Sequence, residues 1–159
     1  MDRTRRRSAT YSGFATTLKS KQAGAGAFIR DEAGEVVTTL SKKWKCPLGA
    51  IEVEAKAAKA GVNFAREVGI RDAEFETDSL VIYNALRGHA APPSLVVNVV
   101  AGLLNQASLF RQWKFTHTKR QENFPAHVLA QLAKNVEDYK AWLEECPIMV
   151  EHACAQDRV

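Results

Sequence analysis

A chain of 159 residues with 46% hydrophobic content is the right size for one domain around a single core. Lys and Arg number 22 against 18 Asp and Glu, and the net charge of +4 is only a mild bias toward anionic partners. No apolar run approaches the roughly 20 residues that cross a bilayer, and the start leads into no apolar signal segment. Three scattered cysteines, Cys46, Cys146 and Cys154, make neither a disulfide framework nor a Cys-x-x-Cys zinc site. A soluble intracellular protein is expected, nuclear or cytoplasmic, with an organelle left open.

The basic run Arg3-Thr4-Arg5-Arg6-Arg7 opens the chain. Residues 1–9 read as a disordered, solvated start, with a nuclear address, a targeting remnant or a phosphate-touching arm as the functional alternatives. Ala23 to Arg30 and Val36 to Leu40, separated by Asp31-Glu32-Ala33-Gly34, read as a hairpin. Gly24 and Gly26 lack a following Gly-Lys-Ser/Thr, so they are expected to let another backbone or side chain approach the sheet closely.

From Gly49 to Val68 the spacing predicts a helix whose stripe Ala50, Glu54, Ala57, Ala58, Gly61, Ala65, Val68 faces a sheet. Glu54 interrupts that stripe. An ionised carboxylate there needs a partner, hydrogen bonds or a metal, unless it sits at an exposed first turn favoured by the helix dipole. Ala73 to Asp78 reads as a strand, and Leu80 to Leu86 as a helix whose junction residues Asp78 and Ser79 both suit a cap. Pro92-Pro93 breaks the chain before an amphipathic helix over Leu95 to Leu109. Gln112 to Thr118 alternates Trp113, Phe115, His117 with Lys114, Thr116, Thr118, the signature of a half-buried strand. The last helix begins near Asn123-Phe124-Pro125, with Asn123 as cap, and carries His127 beside its apolar stripe, as a packing residue or a ligand. Lys140 to Val159 is expected as a loosely packed tail.

Four stretches in this order resemble the plant reverse-transcriptase-like branch of the ribonuclease H family. They are Ala23-Gly24-Ala25-Gly26-Ala27-Phe28-Ile29-Arg30-Asp31; Glu52-Val53-Glu54-Ala55; Glu76-Thr77-Asp78-Ser79; and His117 to Asn123 running into Ala126-His127-Val128-Leu129-Ala130. The resemblance implies an α/β domain over residues 10–145, a mixed five-stranded sheet of order 3-2-1-4-5 with helices on both faces, and a tail over 146–159. It also implies a metal-dependent ribonuclease acting on RNA/DNA hybrids, with acidic side chains holding two Mg2+ ions, or Mn2+. Glu54 and Asp78 would then be metal ligands and catalytic residues.

Two positions depart from the family pattern. Thr10-Tyr11-Ser12-Gly13-Phe14 aligns Ser12 with the metal-bridging Asp, and His127 stands at the fourth acid. Removing a bridging carboxylate matters because one unit-charge pair at 4 Å is worth about 4 kcal/mol at an effective dielectric near 20. The resemblance therefore implies weakly held metal and reduced cleavage, with Ser12 and His127 the altered catalytic positions. Lys114, Lys119, Arg120 and Asn123 are the expected nucleic-acid contacts. The alternative is a catalytically inactive nucleic-acid-binding module or a retroelement-derived interaction domain.

Overall fold

The computed structural model describes residues 8–19, 22–44, 49–119, 121 and 124–143, with side chains described from Ala23 to Trp142 of these. The Arg3 to Arg7 run, the three cysteines, Arg120 and Asn123 lie outside the described residues.

Six strands form one sheet: β1 (Ser8–Lys19), β2 (Gln22–Asp31), β3 (Val36–Trp44), β4 (Asp72–Thr77), β5 (Gln112–His117) and β6 (Tyr139–Leu143). Their order across the sheet is β5-β4-β1-β2-β3-β6. The expected order 3-2-1-4-5 is present, and β6 adds a sixth strand outside β3. β1, β4 and β5 run parallel, while β2 and β6 run against their neighbours.

The addition of β6 corrects the expectation of a loose tail from Lys140. Its alternation explains the pairing: Ala141 packs toward the larger core, while Trp142 packs on Phe28, Ala126 and Leu129 on the other side. Five residues are too short a run for that alternation to stand out in the sequence.

Helix α1 (Ala50–Glu67) lies over β1 and β2, and α3 (Val97–Ala107) packs against α1. Its start is set by Gly49, whose backbone N–H donates to Glu52 Oε1 at 3.3 Å. Ala57, Ala58, Gly61 and Ala65 of the predicted stripe are buried, and the small side chains let the helix sit close to Ala27, Ile29 and Phe75 of the sheet. Phe75 is fully buried between Phe110, edge-on at 5.2 Å, and Phe115 at 5.5 Å.

The opposite face carries α4 (Phe124–Leu132), packed over β2 and β1. Gly26 makes this possible. A Cβ there would meet the carbonyl oxygen of Ala126, the Ala130 nitrogen at 2.5 Å and Leu129 Cβ at 2.6 Å. The close approach expected of this glycine is therefore one of backbone to backbone.

The short helix α2 (Leu80–Leu86) follows β4 directly. β5 is less buried than its alternation predicts, since Phe115 is buried but Trp113 and His117 are exposed. It is an outer strand, so only part of its inner face meets core.

Candidate functional site

The end of β4, the middle of β1 that runs beside it, the first turns of α1 and α2, and the start of α4 meet at one end of β4. Asp78 stands between β4 and α2, with Ser79 as the α2 cap. The Ser79 hydroxyl accepts from the Ile82 N–H at 3.4 Å and donates to Glu54 Oε2 at 2.7 Å. The Ser79 N–H in turn donates to Thr77 Oγ1 at 3.1 Å, which fixes the turn. Glu54 is thus partly buried against the junction after β4, reached from α1.

Asp78 is reached from the other face. Its Oδ2 lies 2.6 Å from His127 Nε2, with both side chains largely buried. An ionised carboxylate at that distance places the imidazole proton on Nε2. Nδ1 of His127 is buried with no hydrogen-bond partner among the described residues.

The structure therefore brings Glu54, Asp78 and His127 to one junction. The two carboxylates nevertheless turn to different partners, Glu54 to Ser79 and Asp78 to His127. The expected role of Ser79 as a cap is present, and its bond to Glu54 is the connection that the sequence did not disclose.

The register locates Ser12 on the backbone. It pairs with Ile29 of β2 and Phe75 of β4, three residues before Asp78, whereas Phe14 pairs with Thr77. Three residues of strand span roughly 10 Å. Phe14, rather than Ser12, is the β1 residue beside the end of β4.

A groove of about 600 Å³ opens beside the Asp78–His127 pair, with His117, Lys119, Gln121 and Phe124 in its walls. Lys119 is exposed there. Lys114 is not a wall residue and is 3.6 Å from Glu74 Oε2. Gln121 and Phe124 were not singled out by sequence; an exposed Phe beside a helix start is the signal that would have marked the groove.

Whether this donor set suits two magnesium ions follows from its chemistry. Magnesium demands near-octahedral oxygen ligands and takes carboxylates by preference. Here Glu54 and Asp78 already accept hydrogen bonds from protein donors, and the third group is an imidazole. Among the described residues no three His, Cys, Asp or Glu side chains form a group that could hold a metal. As arranged, these residues do not fit a two-magnesium centre.

Residues 10–133 match the family model described as reverse transcriptase-like. No curated protein sequence matches the chain. Among solved structures, RNase H1 from Halobacterium salinarum NRC-1 is similar with a TM-score of 0.74 at 20% identity, covering 79% of this chain and 96% of that one. The N-terminal RNase H domain of Rv2228c from Mycobacterium tuberculosis gives 0.71 at 18% identity, covering 96% of this chain and 100% of that one. LC11-RNase H1 in complex with RNA/DNA hybrid gives 0.71 at 17% identity, covering 79% and 96%. At such identities the likeness is one of fold: the α/β architecture is that of ribonuclease H. No helix among the described residues is long and apolar enough to cross a membrane.

Proposed function

The chain belongs to the reverse transcriptase-like family, and from that membership we propose that it is a ribonuclease H-type module that binds nucleic acid, RNA/DNA hybrid foremost, while metal-dependent cleavage is reduced or lost. One observation carries the second half of this reading. Each carboxylate of the junction is held by a protein donor, Glu54 by Ser79 and Asp78 by His127. Hydrolysis by two metals needs ligands that bridge and anchor both ions, and two engaged carboxylates with an imidazole supply neither.

Binding rests on different features. The groove beside Asp78 is lined by Lys119 and by the polar and aromatic groups His117, Gln121 and Phe124, which suit a phosphate backbone and its neighbouring sugars and bases. LC11-RNase H1, of the same fold, is a structure with an RNA/DNA hybrid bound. Arg120 and Asn123 follow Lys119 within four residues in sequence and are proposed as further contacts.

The test is a labelled RNA/DNA hybrid, titrated at low salt and then incubated with Mg2+ or Mn2+ alongside a Glu54→Ala control. Binding with little or no cleavage is expected. Brisk cleavage abolished by Glu54→Ala would make the protein an active ribonuclease, and absence of binding at low salt would remove the nucleic-acid reading.

A further inference from the structure

The outer strands β3 and β6 carry a group of side chains that the site at Asp78 does not use. Lys42 and Trp44 are two residues apart on β3 and so share one face, and the Lys42 ammonium lies 5.7 Å from the Trp44 ring centroid. Tyr139 of β6 is the register partner of Lys42 and stands on the same face. It is 62% exposed, and Lys42 and Trp44 are partly exposed. Leu40, next on that face, is buried beneath the α1 side of the core, so the three residues continue the same face beyond the cover of the helices. Among the described residues no carboxylate pairs with Lys42.

A lysine over a partly exposed indole, with an exposed phenol as its cross-strand neighbour, leaves aromatic surface open to solvent that packing does not use. Rings give sequence-independent stacking surfaces for bases, and the ammonium attracts the phosphates between them. A positive charge beside two aromatic side chains is the combination that suits unpaired nucleotides.

The group lies at the same end of the sheet as the groove, but on the α1 face, whereas the groove opens beside α4 on the other. β3 runs parallel to β1 and β4, so Trp44 lies toward the same end of the sheet as Asp78, and β6 begins there with Tyr139. From β4 to β3 are three strand spacings, roughly 14 Å, and β6 adds one more, for roughly 19 Å. At roughly 3.4 Å per stacked nucleotide, about four to six nucleotides is the least that crosses this distance, and a strand joining the two must also turn round the end of the sheet.

We propose that Lys42, Trp44 and Tyr139 form a stacking platform for single-stranded nucleic acid, taking the unpaired strand that runs off a duplex held at the Asp78 groove. The proposal extends the reading above, and the two fail separately. A blunt RNA/DNA hybrid reports on the groove, and the same hybrid carrying twelve unpaired nucleotides at its 5′ or 3′ end, long enough to turn round the end of the sheet, reports on the platform.

The experiment measures affinity for the blunt and the extended hybrids with the full chain, and then with Tyr139→Ser, Trp44→Ala and the two combined. Tyr139→Ser is the safe variant, because that side chain is mostly in solvent. One extension is expected to tighten binding by about tenfold or more, as stacking of a single base supplies roughly that factor. The single variants should reduce the gain and the pair should abolish it, leaving affinity for blunt hybrid unchanged. No gain from either extension, or a gain that survives Tyr139→Ser and the double variant undiminished, overturns the platform. Loss of blunt-hybrid binding with the single-strand contribution intact would instead overturn the groove reading alone.

Discussion

Gly26 shows how much one missing Cβ holds in place. Ala126, Leu129 and Ala130 occupy the space a side chain would need, and two of the three contacts are with backbone, so Gly26→Ala must shift α4 bodily off the sheet. Overpacking of this kind costs about 1–3 kcal/mol. A thermal midpoint lower by about 2–12 °C is expected, and an unchanged midpoint would show that α4 is not seated on β2 in this way. Ser79 is a second such position, acting both as the α2 cap and as the donor to Glu54. Ser79→Ala should cost about 1–2 kcal/mol, read as a lower urea midpoint with an unchanged slope. Both residues were legible in part. Glycine in a strand announces a close approach without saying what approaches, and Asp78-Ser79 announces a cap. The bond from Ser79 to Glu54 joins residues 25 apart, and local pattern does not reveal contacts at that separation.

Elements were legible where their period was long and went unread where they were short or depended on pairing. α1 and α2 fall where spacing and caps predict them, because each carries its own start and stop signals. β6 escaped notice because five residues of alternation mean little until β3 is seen beside them. The register of β1 against β4 has a testable consequence. A carboxylate meant to complete the metal site should work better opposite Thr77 than opposite Phe75. In a His127→Asp background, Phe14→Asp is therefore expected to raise Mg2+-dependent hybrid cleavage more than Ser12→Asp, provided circular dichroism shows both folded. A larger gain from Ser12→Asp would restore Ser12 to the position that the family resemblance implies and would mean the strand is paired two residues out of step. Trp142→Ala tests β6 itself. It removes a partly buried ring from Phe28 and Leu129, and a loss of about 2–4 kcal/mol is expected from the equilibrium unfolding curve.

At the scale of the whole molecule, a net charge of +4 is too small to steer polyanions by itself, so particular cations decide affinity. Lys119 is in the wall of the groove, while Lys114 faces Glu74 at 3.6 Å. Lys119→Ala should lower the slope of log K against log salt by about one, the loss of one neutralised phosphate, and Lys114→Ala should change it less. Equal effects of the two substitutions would mean that the Glu74 contact does not occupy Lys114. The direction of the outermost segments bears on how such a module is used. β1 climbs from Ser8 toward the end of the sheet that holds Asp78, and β6 descends from that end to Leu143, which shares a level with Ser12 through Thr38 and Ile29. β1 thus starts at the level of Asp72 and β6 ends at the level of Phe75, both short of Asp78, on strands roughly 14 Å apart. A rigid rod laid across the ends of β4 and β5 would therefore meet neither of these strand ends.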